Sequence, residues 1–282
     1  MNKVIILFLS LYLFTACTPS PSKQGTEKPY WLKNQNLLDS FYAVGSAPVN
    51  FQGMYMQRNE AINKAKAELS HSIESFITSI YKNSSNVSTN HKSFQSVEKV
   101  RALSKSFLHN SYQVDAYFDD DRNLYVLIKN PKSKQKLKLR PLKKEKFDDT
   151  KLMQSRCYSN DVLKSVRTKY PMHNSKPIWF YRPNENAKLA SIGIAEKEEY
   201  ISFAQQQRVA YSLAKSALSK RQRTHMRSED EILSVLSGEI SGGVFESSSI
   251  VKSATRVKPS HIEDVWLNPN NCELYLYLVA NN

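Results

Sequence analysis

The sequence predicts an α+β chain made of two copies of one domain, each with one long helix packed on a small antiparallel sheet. Three observations carry this: an internal repeat at a nearly constant offset, an apolar stripe at helical spacing, and a late pair of strands joined by a turn in each half.

The repeat comes first because it decides how everything else is read. Lys28-Pro29-Tyr30-Trp31 returns as Lys176-Pro177-Ile178-Trp179, and Tyr42 to Ala47 returns as Ala190 to Ala195, both at an offset of 148. Ala61, Ala65 and Leu69 match Ala210, Ala214 and Leu218 at 149, as Asp115 to Phe118 match Asp264 to Leu267. Leu124 to Ile128 then match Leu274 to Leu278 at 150. Five blocks in one order, with two single-residue slips, define copies at 28–130 and 176–282.

Each copy has the same local plan. A Pro-x-Trp lead-in precedes a short strand running through Gly45 or Gly193, where the glycine is expected to let the strand turn tightly into the helix connection. Trp31 and Trp179 are expected to close cores. Ile62, Ala65, Leu69, Ile73, Phe76 and Ile80 then recur at steps of three or four, as do Ala210, Leu213, Ala214, Ala217 and Leu218, giving one apolar helix face. The alanines suit a helix lying close to a sheet. Strands near 112–118 and 123–129, and near 262–267 and 273–279, read as hairpins, with Asp119-Asp120-Asp121 and Asn268-Pro269-Asn270-Asn271 supplying turn chemistry. The Ser-rich segments 84–108 and 222–258 fit either a further strand or a short helix.

At the amino terminus, Lys3 precedes an apolar run, Val4 to Ala16, that ends at Cys17. Thirteen residues span about 20 Å as a helix, short of a hydrocarbon core of about 30 Å, so an export signal (1–16) fits better than a membrane span. Thr15-Ala16-Cys17 supplies small residues before a cysteine, the pattern a lipoprotein peptidase cuts. Cys17 is therefore expected to carry diacylglycerol and palmitate-type acyl chains. By resemblance to known lipoprotein sorting, Thr18 in place of Asp implies the outer membrane as destination, and residues 17–27 read as a flexible tether. Cys157 and Cys272 remain as candidates for a disulfide in an oxidising periplasm, provided their Cα atoms come within bonding range.

The formal net charge of +14 is unevenly spread: +3 over 28–130, +9 over 131–175 and +1 over 176–282. The connector, 131–175, is the candidate partner site. Lys132, Lys134, Lys136, Lys138, Arg140, Lys143, Lys144 and Lys146 meet only Glu145 in opposition. Alternation through Lys138 places lysines on one side of an extended chain. The anions at hand for an exported protein are lipid head groups, lipopolysaccharide and acidic glycans rather than nucleic acid. The same stretch also reads as a solvated linker, or, through Leu137, Leu139 and Leu142, as an edge strand on the first sheet. Ser159 to Tyr170 suits a short helix capped by Ser159 or Asn160.

The Pro-x-Trp lead-in, the Gly-Ser-Ala or Gly-x-Ala after a short strand, the Ala-spaced helix and the closing Leu-Tyr-Val-Leu strand resemble the Lpp-twenty outer-membrane lipoprotein family, which includes flagellar lipoproteins. The resemblance spans both copies. It implies a non-enzymatic envelope protein whose domains mediate assembly or attachment to envelope or flagellar proteins, or to a second copy of the chain.

The chemistry points the same way. The six histidines are scattered, none three or four residues from another, which does not suit a zinc site, and they read as solvated or incidental. No nucleophile elbow, Walker loop or dinucleotide fingerprint is present, so neither catalytic residues nor a cofactor are expected. Asp119 to Asn123 alternates oxygen ligands like a calcium loop. However, Leu124 stands where the loop needs glycine and Asn130 where it needs an acid, so a hairpin turn is the better reading.

Overall fold

The computed structural model describes residues 27–84, 108, 111–185, 189–236 and 259–281, with side chains at 80–84 and 222–236 set aside. The export segment, Cys17 and most of the tether lie outside the described residues, as do 85–107 and 237–258.

The described residues form two units of one topology and a connector between them. In the first, α1 (Tyr30–Lys33) and a 3-10 turn lead into β1 (Tyr42–Ala47), α2 (Gly53–Ser84), β2 (Tyr112–Phe118) and β3 (Leu124–Lys129). The connector holds α3 (Asp149–Gln154), α4 (Asn160–Ser165) and a two-residue ribbon, β4 (Met172–His173) with β5 (Lys176–Pro177). The second unit repeats the plan with α5 (Ile178–Tyr181), β6 (Ala190–Ala195), α6 (Phe203–Leu236), β7 (Ser260–Leu267) and β8 (Leu274–Ala280). Both sheets are antiparallel with the last strand central, in the order β1-β3-β2 and β6-β8-β7. Even the irregularity repeats: a bulge between Gln113 and Asp115 has its counterpart between Ile262 and Asp264.

Alternation along the strands divides each sheet into two faces. Ala43, Ala47, Ala116, Leu124, Val126 and Ile128 face α2, whose Ala61, Ala65, Leu69, Ile73 and Ile77 are buried at steps of four. Leu267, Leu274, Leu276 and Leu278 face Ala210, Ala214 and Leu218 of α6. Gly45 and Gly193 are not at strand ends, as their sequence context suggests; each sits mid-strand beneath its helix. A Cβ on Gly45 would lie 2.1 Å from the Ala61 carbonyl oxygen, and one on Gly193 1.8 Å from that of Ala210. Glycine opposite alanine thus brings helix backbone onto strand backbone.

The outer faces are covered differently. Over the first sheet, Tyr42, Tyr117 and Leu127 pack with Trp31, Leu137 and Leu139. Residues 134–144 form no strand: the expected edge strand is instead an extended strap across the sheet face. Over the second sheet, Ile192, Ile194, Tyr275 and Tyr277 join a cluster that continues through Ile62 of α2 into the first unit's core. The two cores are therefore one body.

The turns follow the chemistry expected of them. The Asp119 carboxylate accepts from the backbone N–H groups of Asp121 and Asn123, at 3.0 and 2.8 Å, and Arg122 takes a left-handed φ of 62°. Cys272 holds the equivalent position at φ 59° and is disulfide-bonded to Cys157, with Cα atoms 5.4 Å apart. The connector helix starts after Ser159 as expected but ends at Ser165, and Ser159 makes no side-chain capping bond. The preceding helix α3, capped by Asp148 on Thr150 and Lys151, has no counterpart in the sequence reading.

Candidate functional site

The two units meet around one buried polar centre. Trp31, 1% exposed, donates its indole N–H to Asp115 at 3.0 Å. Trp179, in the second unit, donates likewise to Asp264 at 2.7 Å. The bulge before each aspartate displaces it from strict alternation and aims it at the tryptophan of the lead-in helix. Both tryptophans close cores and bond to the sheet at one point.

The copies differ in what else reaches the aspartate. Asp115, 0% exposed, receives Arg182 of the second unit, whose Nε lies 3.0 Å from Oδ1. Asp264 is served instead by Thr168 and by the backbone N–H of Lys169, and among the described residues no cation pairs with it. Burial, against those hydrogen bonds, holds the Asp264 carboxyl above its ordinary range. A buried carboxylate paired with arginine is costly to break, because the survivor is an uncompensated charge. Asp115 and Arg182 thus lock one unit to the other.

More of the junction is built from side chains on backbone. Gln113 donates to the carbonyls of Phe180 and Tyr181 at 2.9 and 2.8 Å, and Asn184 returns a bond to the Gln113 carbonyl at 3.2 Å. Phe118 stacks on Phe180 with centroids 6.0 Å apart, and the Lys176 ammonium lies 5.6 Å from both rings. At the opposite end, the Met54 N–H donates to Glu273 at 3.1 Å.

A second duplicated pair passed unnoticed in the sequence. Gln57 donates to the carbonyls of Ala47 and Arg122, and Gln206 to those of Ala195 and Cys272. Each ties the first turns of its long helix to a strand end and a hairpin turn. Their offset of 149, equal to that of the alanines, was the available signal.

The basic connector divides into two kinds of residue. Lys134, Lys136 and Lys138 are exposed, whereas Gln135, Leu137 and Leu139 between them turn inward. Lys144 and Lys146 are exposed too, Lys143 pairs with Glu145 at 3.2 Å, and Lys132 is half-buried. Arg140 departs from the row: its guanidinium lies 5.1 Å from the Tyr117 centroid, and its carbonyl accepts from Arg182 at 2.6 Å. It belongs to the junction as much as to the surface.

His173 is buried rather than solvated, with Nδ1 3.1 Å from the Lys143 carbonyl oxygen. Burial is the main cause that lowers its pKa. Among the described residues, no group of three or more His, Cys, Asp or Glu could hold a metal ion, and no helix is long and apolar enough to cross a membrane.

No curated protein matches the chain. Residues 29–130 match the family model of the LPP20 lipoprotein. The match ends with the first unit; the second unit's kinship to it rests on the shared strand order, register, bulge and Trp–Asp bond.

Proposed function

We propose, from the premise that residues 29–130 are an LPP20 lipoprotein domain, that the chain is a lipid-anchored, non-enzymatic assembly module of the outer membrane that serves the flagellum or its sheath. The observation that carries this reading is the use of the sheet faces. Each unit's outer face is covered, the first by the connector strap and Trp31, the second by Trp179, Phe180 and Tyr170, and the units themselves join where Phe118 stacks on Phe180 and α2 packs against β6. A domain that already binds its own kind through an aromatic face is suited to building larger assemblies.

The reading is tested in the cell with Cys17→Ser and a deletion strain. The native chain is expected to incorporate a palmitate analogue and to fractionate with outer membrane, while Cys17→Ser does neither. Deletion is expected to impair swimming, restored by the native chain and not by Cys17→Ser. Full motility with intact basal structures in the deletion strain removes the flagellar role; a Cys17→Ser chain still wholly membrane-bound removes the anchor.

A second reading is favoured by the exposed lysines of the strap, whose neighbours Leu137 and Leu139 hold the row outward. Such a row binds envelope polyanions at about 1 kcal/mol per basic residue near an anionic surface. Changing Lys134, Lys136, Lys138, Lys144 and Lys146 to Gln is then expected to weaken binding to lipopolysaccharide at least tenfold, measured by co-sedimentation. Unchanged binding counts against it.

A further inference from the structure

The junction leaves a deep cleft between α2 and α6, of about 860 Å³, whose lining none of the roles above uses. Its floor comes from both sheets, with Tyr112 and Gln113 on one side and Ser191 and Ile192 on the other. Arg58 and Lys66 project from α2, and Lys220 and Arg221 from α6, while no described lining residue is acidic. Arg58, Lys66 and Arg221 thus face one space with no acidic residue among its described lining, whereas Arg182 in the same junction is paired with Asp115.

The two arginines are held in place but not neutralised. Arg58 Nη2 donates to Gln113 Oε1 at 2.6 Å; Arg221 Nη1 donates to Asn184 Oδ1 and the Ala190 carbonyl at 2.8 and 2.7 Å. Neutral acceptors thus orient each guanidinium. The Nε of each is buried without a hydrogen-bond partner, a position that is normally costly unless something fills it. Among the described residues, neither arginine nor Lys66 forms an ion pair. Burial brings Arg58 and Arg221 each to about 10, and burial together with the neighbouring cations lowers Lys66. The fold concentrates positive charge here at a cost.

We propose that this cleft binds a phosphorylated polar ligand, with its phosphate between Arg58 and Arg221. Guanidinium groups fixed by neutral acceptors present remaining N–H donors in a planar fork, which matches phosphate oxygens. Lys66 and Lys220 add charge at the mouth. The space exceeds what a lone phosphate fills, and Asn59 and Asn63 along the wall offer amides to the hydroxyls of a glycerol or sugar body. The site needs both units, since each supplies one arginine. It stands independently of the assembly role proposed above and of the exposed connector lysines, none of which lines the cleft.

The test uses the full chain with its disulfide intact and three probes: inorganic phosphate, glycerol 3-phosphate, and phosphatidylglycerol vesicles against phosphatidylcholine ones. Titration calorimetry at low salt is expected to show saturable one-to-one binding of glycerol 3-phosphate. Arg58→Gln and Arg221→Gln should each weaken it at least tenfold, while the connector variant with five lysines changed to Gln retains it. Binding confined to phosphatidylglycerol vesicles, and still lost on Arg58→Gln, identifies a lipid head group as the source; binding of the soluble esters identifies a free ligand. Where an arginine variant fails to fold, Lys66→Gln decides: a threefold or greater loss supports the site. No saturable binding of any probe, or binding indifferent to the arginine changes and to Lys66→Gln, overturns the proposal and leaves Arg58 and Arg221 as structural pins.

Discussion

Gly193→Ala is expected to destabilise the chain by about 3 kcal/mol or more, although it adds a single methyl group. The added carbon would stand 1.8 Å from the Ala210 carbonyl oxygen, 2.8 Å from its carbon and 2.9 Å from the Ala214 nitrogen. Those are helix backbone atoms, which cannot rotate aside as a side chain would. The helix would have to lift from the sheet by more than an ångström, and packing forces fall steeply over such a gap. Lifting it would also strain the bond from Ser191 Oγ to the Ala214 carbonyl and the Gln206 bonds to Ala195 and Cys272. In a body of this size the loss corresponds to a fall in Tm of about 6–12 °C. Ser191→Ala is the control: it removes one hydrogen bond from the same face, and about 1 kcal/mol is expected. Urea unfolding separates the two. A Gly193→Ala loss no greater than the control's would refute close backbone contact as the basis of the packing.

The second large effect is expected at Asp115. Asp115→Ala strips the buried carboxylate from both Trp31 and Arg182, leaving an indole N–H and a guanidinium without a counterpart. Breaking a buried pair from one side costs about 3–5 kcal/mol. Asp264→Ala removes the equivalent carboxyl from Trp179 and Thr168 but strands no cation, so a smaller loss of about 1–3 kcal/mol is expected. Tryptophan fluorescence and near-ultraviolet circular dichroism during urea unfolding report both. Equal losses would mean that Arg182 contributes nothing to joining the units.

The same pair carries a pH signature. Asp264 sits above its ordinary value of 3.8 in the folded chain, chiefly through burial. The folded state therefore holds this proton more tightly than the unfolded one, and stability falls as pH rises from 3.8 through the raised value. Asp264→Asn should flatten that fall and should lose less at neutral pH than Asp264→Ala.

The duplication was legible because the contacts behind it demand residue types that are hard to replace. Where helix backbone touches strand backbone, only glycine and alanine fit, so Gly45, Ala61 and Ala65 return as Gly193, Ala210 and Ala214. The tryptophans and aspartates were visible separately; their bond was not, since the partners lie 84 and 85 residues apart and local periodicity says nothing across that distance. Gln57 and Gln206 were missed because a glutamine on a helix reads as solvated surface unless its carbonyl partners are known. The edge-strand alternative for the connector fails for another reason. Alternating lysine and leucine specifies an extended chain with one apolar side, and a strap over a sheet face meets that description as well as an edge strand does. The cleft was least legible, since Arg58 and Arg221 lie 163 positions apart and only the docking of the two units brings them to one space.

The bond between Cys157 and Cys272 turns nearly the whole second unit into a covalent ring, entered from the connector and left ten residues before the carboxyl end. A single cut by a protease anywhere on that ring opens it without releasing a fragment. In an oxidising compartment the nicked chain therefore stays one molecule, still tethered through its first unit to whatever holds the amino terminus, and only a reductant completes the separation.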